Sequence, residues 1–287
     1  MKKIRISAGW DTSENITERM IKQFKTDEID LSEIEFVYDD SYDIVVFLNY
    51  INLNIKSGSK AYVFPHEPTF SGSHQKSFTD NITLFGYEKK LYNIDCIETP
   101  AHTFYGGRGP WMDSLDFWCY DNLRNVIFNK TKNLSSSITS LNKLEGDNCI
   151  YPQRYNIAEM INNELPFIDV YGGWKNSPKR HDALIDYKFN ISIENEHQKN
   201  WISEKFYDLI LTDTIPIYFG CKNIKELYPE DGYILIENID NLEDIKNLLY
   251  NVNENADNIY NQKINGLRKI KERYFKEFNP LKKIINL

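Results

Sequence analysis

The sequence predicts an α/β protein built from two open, mostly parallel sheets. Short continuous apolar runs, which are typical of strands covered on both faces, alternate with stretches of helical periodicity in both halves of the chain. A length of 287 residues also suits two domains of about 100 to 150 residues each. We therefore expect an N-terminal domain at residues 1–128 and a C-terminal domain at residues 129–287.

The individual elements follow from the same patterns. In the helix predicted near the N-terminus, Ile16, Met20 and Phe24 lie on one face. A segment rich in Trp, Phe and Tyr (residues 114–123) predicts a helix, and a polar segment (residues 130–137) follows it at the expected domain change. The other predicted elements are strands at residues 2–8, 42–48, 60–64, 148–150, 167–171, 189–193, 215–219 and 233–236, and helices at residues 15–24, 155–162 and 203–211.

Charge and composition argue against several classes of partner and site. The formal net charge of -8 repels polyanions, which argues against nucleic acid as the main partner. The four cysteines contain no CxxC pair, so neither a zinc site nor a disulfide framework is indicated. No apolar stretch has the length of a signal core or of a membrane span, and we expect a cytoplasmic protein.

The segment from residue 187 to residue 220 carries the most informative polar residues. A strand ending in Glu-Asn is followed by a helix that begins at Ser203, which can cap it and direct free N–H groups toward a diphosphate. Lys205 adds a cation, and Glu204 offers oxygens to the hydroxyls of a ribose. Taken alone, these three residues are more often an ordinary capped surface turn. Their setting next to Asn195, beyond the carboxyl end of a strand, indicates a nucleotide site in a cleft between the domains.

This block resembles the signature of glycosyltransferase family ten, the α-1,3/1,4-fucosyltransferases. The matching segments are YKFNISIEN and WISEKFYDLILTDTIPIYFG, and the chain departs from the usual YKFxLxFENS and YVTEK forms at Ile193, Glu196, Trp201 and Ser203. A weaker likeness extends upstream to Trp10, Glu67 and Arg154. The resemblance implies a GT-B fold, in which two Rossmann-like domains face a cleft. It also implies an inverting transferase that moves L-fucose from GDP-fucose to a glycan hydroxyl.

The resemblance further implies roles for single residues. It places Arg154 and Lys205 on the donor diphosphate, Asn195 and Trp201 beside it, and Glu204 on the ribose. The indole of Trp201 can only donate a hydrogen bond where the family's Tyr also accepts one, so packing is an alternative role. For Arg154, the alternative is a surface salt bridge.

The same resemblance makes Glu67 the general base. Without it, a solvated loop acid is the plainer interpretation of this residue. His66 is a rival, because its unperturbed pKa near 6.5 suits proton transfer better than a free Glu near 4.3. We place Glu67 first, since partial desolvation raises the pKa of a carboxyl.

Other patterns argue against added cofactors. The acidic residues Asp39, Asp40 and Asp43 form no DxD motif flanked by apolar strands, so we expect no metal requirement. Residues 171–174 contain two glycines but no GxGxxG motif, and they predict a close-packed turn.

The C-terminal stretch, residues 263–287, is a predicted amphipathic helix rich in Lys and Arg. It suits contact with anionic lipid, or packing against the protein body with a return to the first domain, which we favour.

Two other functions remain open from sequence: the same fold with a different nucleotide sugar, and a non-catalytic carbohydrate-binding protein.

Overall fold

The chain forms two sheets of parallel strands with helices around them, which confirms the predicted α/β class. We describe it from a computed structural model. The two sheets are formed by residues of the first half (1–128) and of the second half (129–287), respectively. The boundary at residues 128 and 129 stays a prediction. The described residues are 1–68, 81–92, 94–101, 103–106, 115–138, 146, 148–172 and 180–287.

The first sheet has six parallel strands in the order β2-β1-β3-β4-β5-β6. Every residue of β3 is buried, as its continuous apolar sequence predicts for a strand covered on both faces. The short strands β2, β5 and β6 were not predicted, because three or four residues carry little periodicity. The strands are β1 (Lys2–Ala8), β2 (Ile34–Phe36), β3 (Ile44–Leu48), β4 (Lys60–Phe64), β5 (Thr83–Gly86) and β6 (Cys96–Glu98).

The second sheet has five parallel strands in the order β11-β10-β9-β7-β8. Its strand β7 lies inside the polar segment that the sequence suggested as a domain change. Ser135 of β7 is fully buried, and its Oγ donates to the carbonyl of Ala183 at 2.6 Å and accepts from Asn190 Nδ2 at 2.8 Å. These partners satisfy a buried hydroxyl that would otherwise destabilise the strand. The strands are β7 (Lys132–Ser136), β8 (Asp169–Val170), β9 (Tyr187–Ile193), β10 (Ile215–Phe219) and β11 (Ile234–Leu235).

One predicted strand is wrong, and one predicted helix is shorter than expected. The expected strand at residues 148–150 does not form: Ile150 is the N-cap of a helix, and Cys149 pairs with Glu196 in an isolated β-bridge outside the strands. The aromatic segment that predicted a helix is helical only in its last four residues among those described. The helices are α1 (Ser13–Phe24), α2 (Tyr120–Leu123), α3 (Tyr151–Glu164), α4 (Glu204–Leu211), α5 (Ile224–Leu227), α6 (Leu242–Glu254), α7 (Ala256–Lys276) and α8 (Pro280–Ile285).

The C-terminal stretch forms two helices rather than one, because Asn279 caps a new helix at Pro280. Leu267, Ile270 and Tyr274 of α7 are buried in the protein body. Asn279 Nδ2 also donates to the carbonyl of Phe24 at 2.7 Å, so α8 returns to the first half of the chain. Among the described residues, no helix combines the length and the apolarity that crossing a membrane requires.

Candidate active site

A cavity of about 230 Å³ lies between the two halves of the chain. Its walls come from α1, from the loops after β4 and β6, and from the segment that joins β9 to α4. Six of the eight residues that the sequence suggested lie on these walls, whereas Arg154 and Ser203 do not. The lining residues are Arg19, His66, Glu67, Pro68, Thr103, Phe104, Asn195, Trp201, Glu204 and Lys205.

A larger cavity of about 600 Å³ lies between α7 and the segment around α2, and it contains none of the predicted residues. Its charged side chains are of both signs, with Arg124 and Arg268 near Asp27 and Glu272. This mixture favours no single class of ligand. We therefore place the site in the smaller cavity, where the predicted polar groups converge.

A buried carboxylate that the sequence did not single out holds the N-terminus of α4. Ser203 caps this helix as predicted, since its Oγ accepts a hydrogen bond from Lys205 N at 3.2 Å. The same Oγ donates to Glu194 Oε2 at 2.6 Å, and Ser203 N donates to Glu194 Oε1 at 2.8 Å. Burial raises the pKa of Glu194, while the charge of Lys205 acts in the opposite direction. A Cβ on Gly220 would lie 2.3 Å from Glu194 Cγ, so this packing requires glycine.

Glu204 and Lys205 form an ion pair at the edge of the cavity. Lys205 Nζ lies 3.0 Å from Glu204 Oε1 and 3.9 Å from Glu194 Oε2. Burial opposes ionisation of Glu204, but the charge and hydrogen bond of Lys205 outweigh it and lower the pKa of Glu204 to about 2. Burial likewise opposes the charge on Lys205, but the two carboxylates raise its pKa. Both side chains are therefore charged at neutral pH.

Trp201 and Asn195 are joined by a hydrogen bond. Trp201 Nε1 donates to Asn195 Oδ1 at 3.1 Å, and the indole is 2% exposed. Its ring packs edge-on against Tyr87, with the centroids 5.2 Å apart. The indole N–H is therefore used within the protein, and the bond orients the side-chain amide of Asn195.

Arg154 lies beside the same acids but not on the cavity wall. It is the fourth residue of α3 and is 2% exposed. Its guanidinium carbon lies 5.0 Å from the ring centroid of Tyr151, and its Nε has no hydrogen-bond partner. Burial lowers the pKa of Arg154, against the opposing effects of Tyr151, Glu194 and Glu204. A buried guanidinium N–H without an acceptor is costly, which sets this arginine apart from an ordinary surface ion pair.

The two candidate bases follow β4 and differ in their surroundings. His66 is 4% exposed, and its ring lies 6.0 Å from Trp10 and 5.8 Å from Phe104, measured between centroids. Glu67 is less buried, and its carbonyl accepts a hydrogen bond from Tyr87 Oη at 3.2 Å, which fixes the loop. The imidazole of His66 is thus part of an aromatic cluster, whereas Glu67 is the more accessible of the two residues.

Arg19 of α1 is a cavity residue that sequence reasoning missed. Its Nη2 donates to the carbonyl of Tyr105 at 2.8 Å, and its guanidinium carbon lies 4.7 Å from the ring centroid of Phe104. A sequence signal was present, since Arg19 and Gln23 follow Ile16 at intervals of three and seven residues. Two long polar side chains on the apolar face of a helix indicate a buried polar contact, and both donate to the Tyr105 carbonyl.

Known proteins resemble both the sequence of the second half and the architecture of the chain. Residues 129–268 match the family model described as glycosyltransferase family 10 (fucosyltransferase), C-terminal part. The α-(1,3)-fucosyltransferase FucT of Helicobacter pylori is 24% identical over 223 residues, which are 74% of this chain and 42% of that protein. The chain thus spans less than half the length of this relative.

Solved structures extend the likeness to the fold. A crystal structure of an α1,3-fucosyltransferase with GDP-fucose aligns with a TM-score of 0.54 at 17% identity, covering 100% of this chain and 90% of that one. The DNA-modifying enzyme β-glucosyltransferase, studied with uridine diphosphoglucose, aligns with a TM-score of 0.56 at 13% identity, covering 99% and 100%. These alignments confirm the GT-B fold. The resemblance to glycosyltransferase family 10 noted in the sequence is confirmed by the family match over residues 129–268 and by the Helicobacter pylori relative.

Proposed function

We propose that this protein transfers L-fucose from GDP-fucose to a hydroxyl of a glycan, with inversion at the anomeric carbon. The observation that supports this proposal best is the composition of the 230 Å³ cavity. There, Glu67 of the first half shares a cavity with Asn195, Glu204 and Lys205 of the second half. A proton acceptor and a set of groups suited to a nucleotide diphosphate thus border one space.

In this proposal, the second half binds the donor. Lys205 contacts the diphosphate through its ammonium group, and Asn195 adds its amide donor. The amides of Ser203 and Lys205 at the start of α4 are already bonded to Glu194 and to the Ser203 hydroxyl, so they are not assigned to the donor. Glu204, ionised because its pKa is about 2, accepts hydrogen bonds from the ribose hydroxyls. Arg154 supplies a second cation. Because it is buried and does not line the cavity, its side chain would have to move toward the donor, and its Nε, which lacks a partner, would then gain a phosphate acceptor.

The chemistry follows from these positions. Glu67 removes the proton of the acceptor hydroxyl as that oxygen forms a bond to the anomeric carbon. The bond between the anomeric carbon and the phosphate oxygen breaks, and positive charge builds on the sugar ring. Lys205 and Arg154 stabilise the negative charge that develops on the departing GDP. Attack from the face opposite the leaving group inverts the configuration.

We further propose that no metal or other cofactor is required, because the two cations take the place of a metal beside the diphosphate. Activity is then expected to persist in EDTA. Complete loss of turnover on chelation, with recovery in manganese, would contradict this part of the proposal.

The donor sugar is the part to test first, because the fold is shared with a protein studied with uridine diphosphoglucose. Thermal unfolding in the presence of GDP, UDP, CMP and their sugars will identify the nucleotide, since at equal concentration the ligand that binds the folded protein more tightly raises the midpoint more. We expect GDP and GDP-fucose to give the largest increases. A larger increase with UDP-glucose would favour another nucleotide-sugar transferase.

A non-catalytic carbohydrate-binding protein is the alternative from another class. Release of GDP from GDP-fucose in the presence of a glycan library, with the product identified by mass spectrometry, distinguishes the two. Binding on a glycan array without hydrolysis or transfer would favour the alternative.

The proposed location is the cytoplasm. Peripheral contact at the inner membrane face through α7 and α8 is a secondary proposal, because these helices pack against the protein body. The support for membrane contact is the number of Lys and Arg side chains on these helices, because their main apolar residues are buried in the protein. Contact would therefore be electrostatic. Co-sedimentation with anionic vesicles at low salt, and its absence with neutral vesicles, is the expected result.

A further inference from the structure

The segment of residues 195–203, in the loop between β9 and α4, is attached to the first half of the chain. We name it the donor loop, because it carries Asn195 and Trp201 and leads into Glu204 and Lys205. Its contacts with the first half include three side-chain hydrogen bonds and one backbone hydrogen bond. They are Gln198 Nε2 to Glu88 Oε2 at 2.7 Å, Lys199 Nζ to Glu98 Oε2 at 2.8 Å, Asn200 Nδ2 to Tyr87 O at 2.7 Å, and Ala101 N to Asn200 O at 2.9 Å.

Asn200 contacts both halves of the chain, as Gln198 of the same loop does through Glu88 and Asn148. On the side of the second half, Asn200 N donates to Asn223 Oδ1 at 2.8 Å, and Asn223 Nδ2 donates to Asn200 Oδ1 at 3.0 Å. On the side of the first half, its Nδ2 and its carbonyl bond to Tyr87 and Ala101. The backbone N and O and both polar side-chain atoms of Asn200 are therefore all used.

The backbone of Asn200 adds a second constraint. Its φ angle is +62°, in the left-handed region that favours Gly and Asn over other residues. Gly would accept this conformation but offers no side-chain bonds. Asp would accept it but cannot donate to the carbonyl of Tyr87. Asn accepts the left-handed backbone, donates to the carbonyl of Tyr87 and accepts from Asn223.

The contacts of the donor loop differ in strength. The pair of Lys199 and Glu98 is exposed, with 38% and 30% of the two side chains accessible, and exposed ion pairs contribute little. Asn200 is 5% exposed, and hydrogen bonds between buried groups are costly to leave unmade. The attachment of the loop therefore depends more on Asn200 than on the surface charges.

We infer that Asn200 is a positioning residue for the donor site. It holds the donor loop between the two halves, so that Asn195 and Trp201 occupy the cavity wall before the donor arrives. A loop that is already ordered loses less conformational entropy on binding, and the affinity for the donor is higher for that reason. The inference rests on the proposed function, because it assumes that this loop binds the nucleotide.

The test compares three substitutions in the full chain by calorimetric titration with GDP. Asn200→Gly keeps the backbone conformation and removes both side-chain bonds. Asn200→Asp keeps the acceptor for Asn223 and removes the donor to Tyr87, and Asn200→Ala adds backbone strain. We expect the dissociation constant for GDP to rise about tenfold in the Gly variant and more in the other two, because Asp sets a buried carboxylate oxygen against the Tyr87 carbonyl and Ala adds backbone strain. The KM for the acceptor is expected to stay unchanged.

Asn279→Ala is the matched control. Asn279 is also buried, and its Nδ2 also bonds to a carbonyl of the first half, but it lies on α8 away from the cavity. This variant is expected to lower the unfolding temperature without changing the affinity for GDP. The control therefore distinguishes a loss of GDP affinity caused by lower overall stability from one caused by displacement of the donor loop.

The outcomes are distinct. GDP binding at wild-type strength in the folded Gly variant would overturn the inference, because the side chain would then not be needed. An equal loss of affinity in Asn279→Ala would overturn it too, since the effect would then be one of general stability. If the wild-type protein binds no GDP or GDP-sugar, the proposed function fails first and this inference fails with it.

Discussion

Trp201 Nε1 donates a hydrogen bond to Asn195 Oδ1 at 3.1 Å, which places both residues in one unit at the wall of the cavity. We therefore predict that Trp201→Phe, which keeps an aromatic ring and removes the N–H, weakens GDP binding by roughly 0.5 to 1.5 kcal/mol. Asn195→Ala should show a loss of at least this size. Calorimetry on the two single variants and the double variant provides the measurement.

The double variant decides whether the residues act together. If Trp201 acts by orienting Asn195, the loss in the double variant is close to that in Asn195→Ala alone. Strictly additive losses would mean that the indole contacts the donor independently.

The second prediction concerns the cation at the helix start. Lys205→Ala is expected to weaken GDP binding by roughly 1.5 to 3 kcal/mol, the range for a hydrogen bond to a charged group. Lys199→Ala removes a lysine of the same donor loop whose ion pair is exposed, and it should leave the affinity within about twofold of the wild type. Equal affinity for GDP in Lys205→Ala and the wild type would show that the diphosphate does not bind at this end of α4.

The local features of the site could be predicted from sequence, because their partners are close along the chain. Ser203 caps the helix through the amide two residues later, and a cap needs only local geometry. Arg19 could not be placed in the same way, since its partner Tyr105 lies 86 residues away. Only the tertiary fold brings such partners together.

The same reason explains the missed strand β7. Its sequence, KNLSS, lacks the apolar alternation that identifies strands. Its buried Ser135 is satisfied by Ala183 and Asn190, which are 48 and 55 residues away. A strand stabilised by distant hydrogen bonds looks like a polar linker when the sequence alone is considered.

The third prediction is a pH dependence that involves Asp208 of α4. Burial raises the pKa of Asp208 to about 6, although Arg180 and the amide of Gly106 act in the opposite direction. Asp208 Oδ1 accepts from Gly106 N at 2.8 Å, and Oδ2 lies 2.8 Å from Arg180 Nε. Between the ordinary pKa of Asp near 4 and about 6, the unfolded state loses this proton while the folded state keeps it.

The free energy of unfolding is therefore expected to fall as the pH rises from about 4 to 6, by up to about 3 kcal/mol from this group. Asp208→Asn removes the titrating group and retains an acceptor for Gly106. The difference in unfolding free energy between wild type and variant, measured by urea titration at several pH values, isolates the contribution. A difference that is constant from pH 4 to 7 would contradict the assignment.

The last prediction concerns Glu67, where the proposed chemistry is most specific. Glu67→Gln keeps the size of the side chain but cannot accept the proton of the acceptor hydroxyl, so turnover should fall about 10²- to 10⁴-fold. Affinity for GDP should barely change, because the proposed diphosphate contacts belong to the second half of the chain.

His66→Ala is the comparison variant, since His66 is the neighbouring side chain that can also accept a proton. Because its ring packs between Trp10 and Phe104, this variant should lose stability, and its folded fraction must be measured at the assay temperature. With that correction, we expect His66→Ala to retain far more turnover than Glu67→Gln. Near-normal turnover in Glu67→Gln together with collapse in folded His66→Ala would assign the base to the histidine. If both folded variants remained fully active, the proton acceptor would have to be a group other than these two.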